Sequence, residues 1–149
     1  MNHSAIFQGS HTQLVNQLVF FDEERQFFLK NYISDDSNER NKVDQVLCMY
    51  TSLLENIIAE GNPESLNSRV LIGSQVTLQY QDDGYEEQYM IVFPHLTDSS
   101  KNWISFLSPI GLQLLTTTMD EIYEFVVPSG PIKVRIKDIK YMNYGEVDR

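Results

Sequence analysis

The amino-acid sequence predicts an α+β fold, in which an N-terminal antiparallel helical hairpin precedes an antiparallel β-sheet with one short helix. Two changes along the chain predict it. Apolar residues recur at steps of three and four as far as Glu60, and from Arg69 onward they alternate with polar residues. Between the two patterns stands Gly61-Asn62-Pro63, which is typical of the end of a helix.

The first helix is predicted from Gln13, after a polar stretch over residues 1–11 that we expect to be a flexible tail. Its apolar positions step alternately by four and three residues, which is the seam of a helix pair. Further apolar residues widen the stripe, so we expect the helix to be covered on more than one side. The seam consists of Leu14, Leu18, Phe21, Arg25, Phe28 and Tyr32, and the added residues are Val15, Val19, Phe20, Phe27 and Leu29.

A second helix follows a polar connection at residues 34–40, where turn-forming and helix-capping side chains predominate. Two helices joined by a short connection form an antiparallel hairpin, here predicted over residues 12–62. Each has about 20 residues, which gives a hairpin about 30 Å long, and we expect it to reach that far from the β domain. The second seam consists of Val43, Val46, Tyr50, Leu53 and Ile57.

The β domain is predicted over residues 67–141, and a polar tail over residues 142–149. Strands are expected over 69–80 and 88–93, joined by the Asp83-Gly84 hairpin signal. A short strand at 103–107 precedes a short helix, with Ser108 as its N-cap and Pro109 at its first position. Two final strands, 122–127 and 132–139, are joined by a Pro-Ser-Gly-Pro turn.

Composition restricts the classes of function. The formal net charge of −10 argues against direct DNA binding through a basic surface. The single cysteine, Cys48, excludes an internal disulfide and is expected to be a buried apolar residue. The three histidines lack metal-ligand spacing, and no nucleophile motif is present, so we expect neither a catalytic site nor a cofactor. No apolar run is long enough for a membrane span, and the first residues do not look like a secretory signal, so we expect a cytoplasmic protein.

Three carboxylates stand at the hairpin tip. Asp35, Asp36 and Glu39 could bind a hard cation such as Mg²⁺ weakly, through oxygen ligands that a partner would have to complete. The alternative is a solvated turn, in which Ser37 or Asn38 caps the second helix.

The C-terminal half resembles the domain shared by the Gre-type transcription factors and the Rnk protein. Its most specific element is the run Ile104-Ser105, Ser108-Pro109, Gly111 and Leu114-Leu115. The other matching segments keep their order and spacing, and they are Asn67 to Val70, Gly73 to Leu78, Tyr89 to Val92, Val126 to Gly130, and Val134, Ile136 and Ile139.

The resemblance implies an FKBP-like β domain that docks on the rim of the secondary channel of RNA polymerase while the helical hairpin projects inward. In the cleavage factors of this family, acidic residues at the tip help to hold a catalytic Mg²⁺ in the polymerase. The implied docking residues here are Ile104, Ser105, Leu107, Ser108, Pro109 and Gly111, and the implied tip residues are Asp35, Asp36, Ser37 and Glu39.

Four departures separate the chain from the cleavage factors and bring it nearer to Rnk in build. Asn38 stands at the second acidic position of the tip, and Leu107 stands where the docking motif has an aspartate. The hairpin is also short. The segment 116–121 lacks the family's two glycines, so we expect a different turn if those glycines needed a positive φ.

These observations predict a regulator that binds RNA polymerase at its secondary channel without strong transcript-cleavage activity. Two alternatives stay open. One is a true transcript-cleavage factor, and the other is an interaction module that kept the fold and binds a protein other than the polymerase.

Overall fold

The structure, a computed structural model, describes residues 3–32 and 37–147. Two long helices come first, α1 (His3–Tyr32) and α2 (Ser37–Glu60). Because α1 begins at His3, the expected flexible tail over residues 1–11 is wrong for its described part. Among the described residues, no helix is both long and apolar enough to cross a membrane.

A five-stranded sheet follows, in the order β3-β2-β1-β5-β4. The strands are β1 (Ser74–Tyr80), β2 (Glu86–Val92), β3 (Trp103–Ser105), β4 (Ile122–Val127) and β5 (Gly130–Tyr141), and the short helix α3 is Pro109–Leu114. The predicted α+β class is therefore confirmed. One detail differs from an all-antiparallel sheet, since β3 pairs parallel to β2 at the edge.

The first strand, β1, is shorter than the alternating pattern over residues 69–80 that predicted it. Val70, Leu71 and Ile72 are fully buried but precede β1, in a segment whose backbone bonds elsewhere. The amide of Val70 donates to the carbonyl of Thr117, and the amide of Thr116 donates to the carbonyl of Val70. Burial alone explains why this segment has the apolar composition of a strand.

The hairpin lies lengthwise against the β domain. Phe20, Phe21 and Phe28 of α1 form a continuous aromatic cluster with Phe93 and Phe106, and all five side chains belong to one hydrophobic core. The ring centroids of Phe28 and Phe106 are 5.7 Å apart, and those of Phe21 and Phe93 are 5.9 Å apart. The stripe that widens the seam of α1 is thus covered in part by the β domain.

This packing corrects the expected reach of the hairpin. Phe28 contacts the β domain only four residues before α1 ends at Tyr32. At about 1.5 Å per residue, roughly 6 Å of described helix extends beyond that contact. The helices are longer than predicted, yet most of their length lies beside the β domain.

A buried polar cluster near the middle of α1 also holds the hairpin against the β domain. The Gln17 side-chain amide donates to the carbonyls of Ile72 and Gly145, at 2.9 Å each. The hydroxyl of Tyr50 donates to Gln17 Oε1 at 2.5 Å and accepts from the amide of Ile72 at 2.9 Å. Burial raises the pKa of Tyr50 well above its usual range, so the hydroxyl keeps the proton that it donates.

Other helix side chains depart from the seam pattern. Arg25 interrupts the apolar seam because its guanidinium pairs with Asp44 of α2 at 3.1 Å. The same guanidinium lies 3.5 Å from the sulfur of Cys48, which is exposed, so the expected burial of this cysteine is wrong. Phe27 is 69% exposed, so the β domain leaves part of the widened stripe uncovered.

The turn between α3 and β4 keeps a left-handed backbone without glycine. Thr116 has a φ of +73° and Asp120 a φ of +67°, at the two positions where glycine was expected. The expectation of a different turn is therefore wrong. Surrounding hydrogen bonds hold this backbone, since the Arg69 side chain donates to the carbonyl of Thr116 at 2.8 Å and the Asp120 amide donates to the carbonyl of Ile136 at 2.7 Å.

Candidate docking site

The sequence-predicted docking residues lie together from the end of β3, through the following loop, to the start of α3. The hydroxyl of Ser108 accepts from the amide of Gly111 at 3.1 Å and donates to the carbonyl of Ser105 at 2.8 Å. Ser105 in turn accepts from the amide of Leu107 at 3.0 Å. With Pro109 at the first helical position, these bonds determine how α3 begins, as predicted.

Gly111 is required by a close approach of two backbone segments. A β-carbon at this position would lie 2.2 Å from the carbonyl oxygen of Ser105 and 2.8 Å from the Ser108 hydroxyl. Any other residue would push α3 away from β3. Three members of the motif, Ser105, Ser108 and Gly111, therefore shape the loop rather than present a large contact surface.

An apolar cleft opens beside this loop. It has a volume of about 280 Å³, and Ile104 and Pro109 of the motif line it. The opposite wall comes from the end of β4 and the turn after it, where Val127 and Pro128 lie. Leu107 does not line the cleft; it is half-buried and packs against the core. The full lining consists of Tyr89, Ile104, Ser108, Pro109, Ile110, Val127 and Pro128.

A second groove continues from the cleft toward the hairpin. It runs between α3 and α2, with a volume of about 500 Å³, and shares Pro109 with the cleft. Met49 of α2 is 61% exposed in it, and Val126 of β4 is 66% exposed. Gln113 ties α3 to β4, because its side-chain amide donates to the carbonyl of Val126 at 2.8 Å and accepts from the amide of Val126 at 2.9 Å.

The described residues include only part of the hairpin tip. Asp35 and Asp36, the candidate Mg²⁺ ligands, lie outside the described residues. Ser37 is the first residue of α2, and Glu39 is exposed in its first turn. Over residues 3–32 and 37–147, no group of three histidine, cysteine or carboxylate side chains is arranged to hold a metal ion.

Sequence reasoning missed the wall of the cleft opposite the motif. Val127 and Pro128 are predicted as the end of a strand and its turn, and Tyr89 as a strand residue; all three fall in family-matched segments, but none is among the predicted docking residues. The turn composition gave their local structure, but only the strand order, with β4 at one edge and β2 beside the other, places them across from Pro109.

A family model matches just over half of the 149 residues. It is described as the C-terminal domain of the transcription elongation factors GreA and GreB, and it covers residues 65–141. The match begins just after α2 and ends with β5, so it contains the candidate docking residues, the cleft and the whole sheet.

Curated relatives carry the same names. The chain is 37% identical to transcription elongation factor GreA of Thermosipho africanus over 89 residues, which are 58% of this chain and 57% of the relative. It is 32% identical to transcription elongation factor GreB of Haemophilus influenzae over 101 residues, 67% of this chain and 63% of the relative. The alignments thus span about half to three fifths of these relatives' length.

Among solved structures, the chain is similar to a GreA/GreB elongation factor of Nitrosomonas europaea. The TM-score is 0.47 with 23% identity, over 67% of this chain and 94% of that structure. At this level of similarity, the fold is better described from the elements of the chain itself.

Proposed function

The chain belongs to the GreA/GreB family of transcription elongation factors, matched over its C-terminal domain, and from this premise we propose that it is an RNA polymerase-binding regulator of transcription. Its site of action is the rim of the secondary channel. The β domain docks through the cleft beside Pro109, and the hairpin tip does not strongly stimulate transcript cleavage.

The observation that carries the docking proposal is the cleft itself. There the family-matched segment, Ile104 to Gly111, meets an open apolar surface. Ile104, Pro109 and Ile110 offer apolar area on one side, and Val127 and Pro128 offer it on the other. A concave apolar surface with a fixed backbone suits the insertion of partner side chains.

The weak effect on cleavage follows from the packing of the hairpin. A metal ligand must approach Mg²⁺ to about 2.1 Å, so the position of the tip decides whether it can contribute. The β domain contacts α1 as far as Phe28, which leaves about one turn of described helix beyond it. Asn38, in place of a carboxylate, also brings no charge to a cation. The tip would then occupy the channel mouth and obstruct other factors.

A partner other than the polymerase is the second candidate, and the position of Leu107 favours it. Where the family resemblance implies an aspartate, this side chain is half-buried in the core. A transcript-cleavage factor is the third candidate, and it would require Asp35 and Asp36 to reach the active site.

Binding to core RNA polymerase tests the assignment of the cleft. The variants are Ser108→Ala with Pro109→Ala, against Asp35→Ala with Asp36→Ala as the matched tip control. We expect the cleft variant to weaken binding about tenfold or more, and the tip control to stay within about twofold.

Pro109→Ala alone is the safeguard against misfolding, because Pro109 is exposed and makes no side-chain hydrogen bond. Thermal unfolding of each variant would be followed alongside binding. Equal affinity of the wild-type and both cleft variants would contradict the proposal, as would a tip variant that loses more affinity than they do.

A further inference from the structure

A carboxylate lies beside the cleft on the inner face of the sheet. Glu87 of β2 pairs across the ladder with Leu78, which is fully buried, so the two side chains share a face. Glu87 is itself only partly exposed. A partly buried carboxylate is costly unless it is bonded, and its bonds here come from tyrosines.

Two tyrosines lie beside this carboxylate, and a third stacks on one of them. The hydroxyl of Tyr80 donates to Glu87 Oε1. Tyr89, which lines the cleft, lies within hydrogen-bonding reach of both Tyr80 and Glu87. Tyr85 stacks on Tyr80 with ring centroids 6.2 Å apart and is 61% exposed. Burial raises the pKa of Tyr80 and of Tyr89, so both hydroxyls stay protonated and Glu87 is held as an acceptor.

The charge of this face is concentrated at one residue. By the register of β1, β2, β4 and β5, Glu87 is the one carboxylate among the inner-facing side chains of these four strands. The neighbouring Glu86 points to the opposite face, where its carboxylate pairs with Lys137 at 3.3 Å. Among the described residues of these four strands, no lysine or arginine shares the face of Glu87.

We propose that the cleft recognises a polymerase segment that presents an apolar side chain and, beside it, a lysine or arginine, and that Glu87 binds that cation. The apolar side chain enters the cleft between Pro109 and Val127. The cation lies against the Glu87 carboxylate and the exposed ring of Tyr85, which attracts it through its π-face. This inference rests on the proposed docking function and adds the chemistry of the partner.

The acidity of the whole chain supports the same partner. A net charge of −10 steers a basic surface toward the molecule, whatever the site of final contact. Specificity then requires a fixed carboxylate at the contact point, and Glu87 is fixed by Tyr80. A charge-assisted hydrogen bond of this kind is about twice as strong as a neutral one.

The test compares Glu87→Gln with Glu86→Gln in the full chain, with core RNA polymerase as the probe. Glutamine keeps an oxygen that accepts from Tyr80, so the substitution removes the carboxylate but preserves this hydrogen bond. We expect Glu87→Gln to weaken binding about tenfold and Glu86→Gln to change it less than twofold. The salt dependence of the affinity should also become shallower only in Glu87→Gln.

The Pro109→Ala variant separates the two proposals. If Pro109→Ala weakens binding and Glu87→Gln does not, the cleft docks the polymerase and the role of Glu87 is wrong. If neither variant weakens binding, the docking proposal itself fails. Equal losses in Glu87→Gln and Glu86→Gln would show only general attraction by negative charge and would overturn the inference. Unchanged melting temperatures ensure that each result reports binding.

Discussion

The β domain has two apolar surfaces, and only one of them is covered by the helical hairpin. On one surface, Phe93 and Phe106 are 1% and 0% exposed, because α1 packs onto them. On the other, the cleft beside Pro109 stays open, although Ile104 and Val127 line it. The first surface fixes the hairpin and contributes stability. The second contributes little to stability and is available to a partner.

Polar side chains mark the same difference. At the covered surface, Gln17 and Tyr50 are fully buried. Gln17 donates to the carbonyls of Ile72 and Gly145, and Tyr50 accepts from the amide of Ile72. At the open surface, Glu87 accepts a hydrogen bond from Tyr80, and no lysine or arginine of the four strands β1, β2, β4 and β5 shares its face. A satisfied buried network gives a unique packing, whereas a charge at an apolar edge can select a partner.

The largest expected effect is at the covered surface. Replacing Phe21 by alanine removes a ring that is 1% exposed and contacts both Phe93 and Phe106. The free energy of unfolding should fall by about 3–5 kcal/mol. The matched control is Phe27→Ala on the same helix, where the ring is 69% exposed and the loss should stay below about 0.5 kcal/mol. Urea unfolding measures both, and equal losses would show that the hairpin does not pack on the β domain.

A smaller effect on the free energy of unfolding is expected in the turn between α3 and β4. Thr116 has a φ of +73°, which is strained for a β-branched residue. Thr116→Gly should raise the free energy of unfolding by about 1 kcal/mol, because relief of the strain exceeds the entropic cost of glycine. Thr118 has an ordinary φ, so Thr118→Gly should lower it by a similar amount. Destabilisation by both substitutions would mean that the turn is unstrained.

Affinity for the polymerase should not follow these changes in stability. Thr116 borders the groove beside α2 but not the cleft. A more stable Thr116→Gly variant with unchanged polymerase binding would therefore separate the two surfaces in one experiment.

The sequence predicts the elements well and their mutual packing poorly. The heptad steps and the Ser108-Pro109 cap are local signals, and α2, α3 and β4 begin or end close to the predicted residues. The contact of Phe28 with Phe106 joins residues far apart in the chain. An apolar stripe on a helix indicates that another part of the protein covers it, but it does not indicate which part.

Polar residues carry the least sequence signal. Gln17 lies in a helix where a glutamine is ordinarily solvated, yet it bonds to Ile72 and Gly145, which are 55 and 128 positions away. Glu87 likewise has no sequence feature that distinguishes it from a solvated glutamate in a strand next to the sheet edge. The docking residues are predicted from a family motif, and of these only the Ser108 cap and the position of Pro109 are local signals that the structure confirms; their role in docking stays a prediction. The tip residues Asp35 and Asp36 stay a prediction.

The most direct test of the account is RNA cleavage in a stalled, backtracked polymerase complex, because docking through the cleft predicts binding without delivery of the tip. Added alone, the protein should not shorten the RNA appreciably. Added together with a transcript-cleavage factor, it should slow the cleavage by that factor, and the Ser108→Ala, Pro109→Ala variant should lose this effect. Rapid, Mg²⁺-dependent shortening by the protein alone, abolished by Asp35→Ala with Asp36→Ala, would contradict the account.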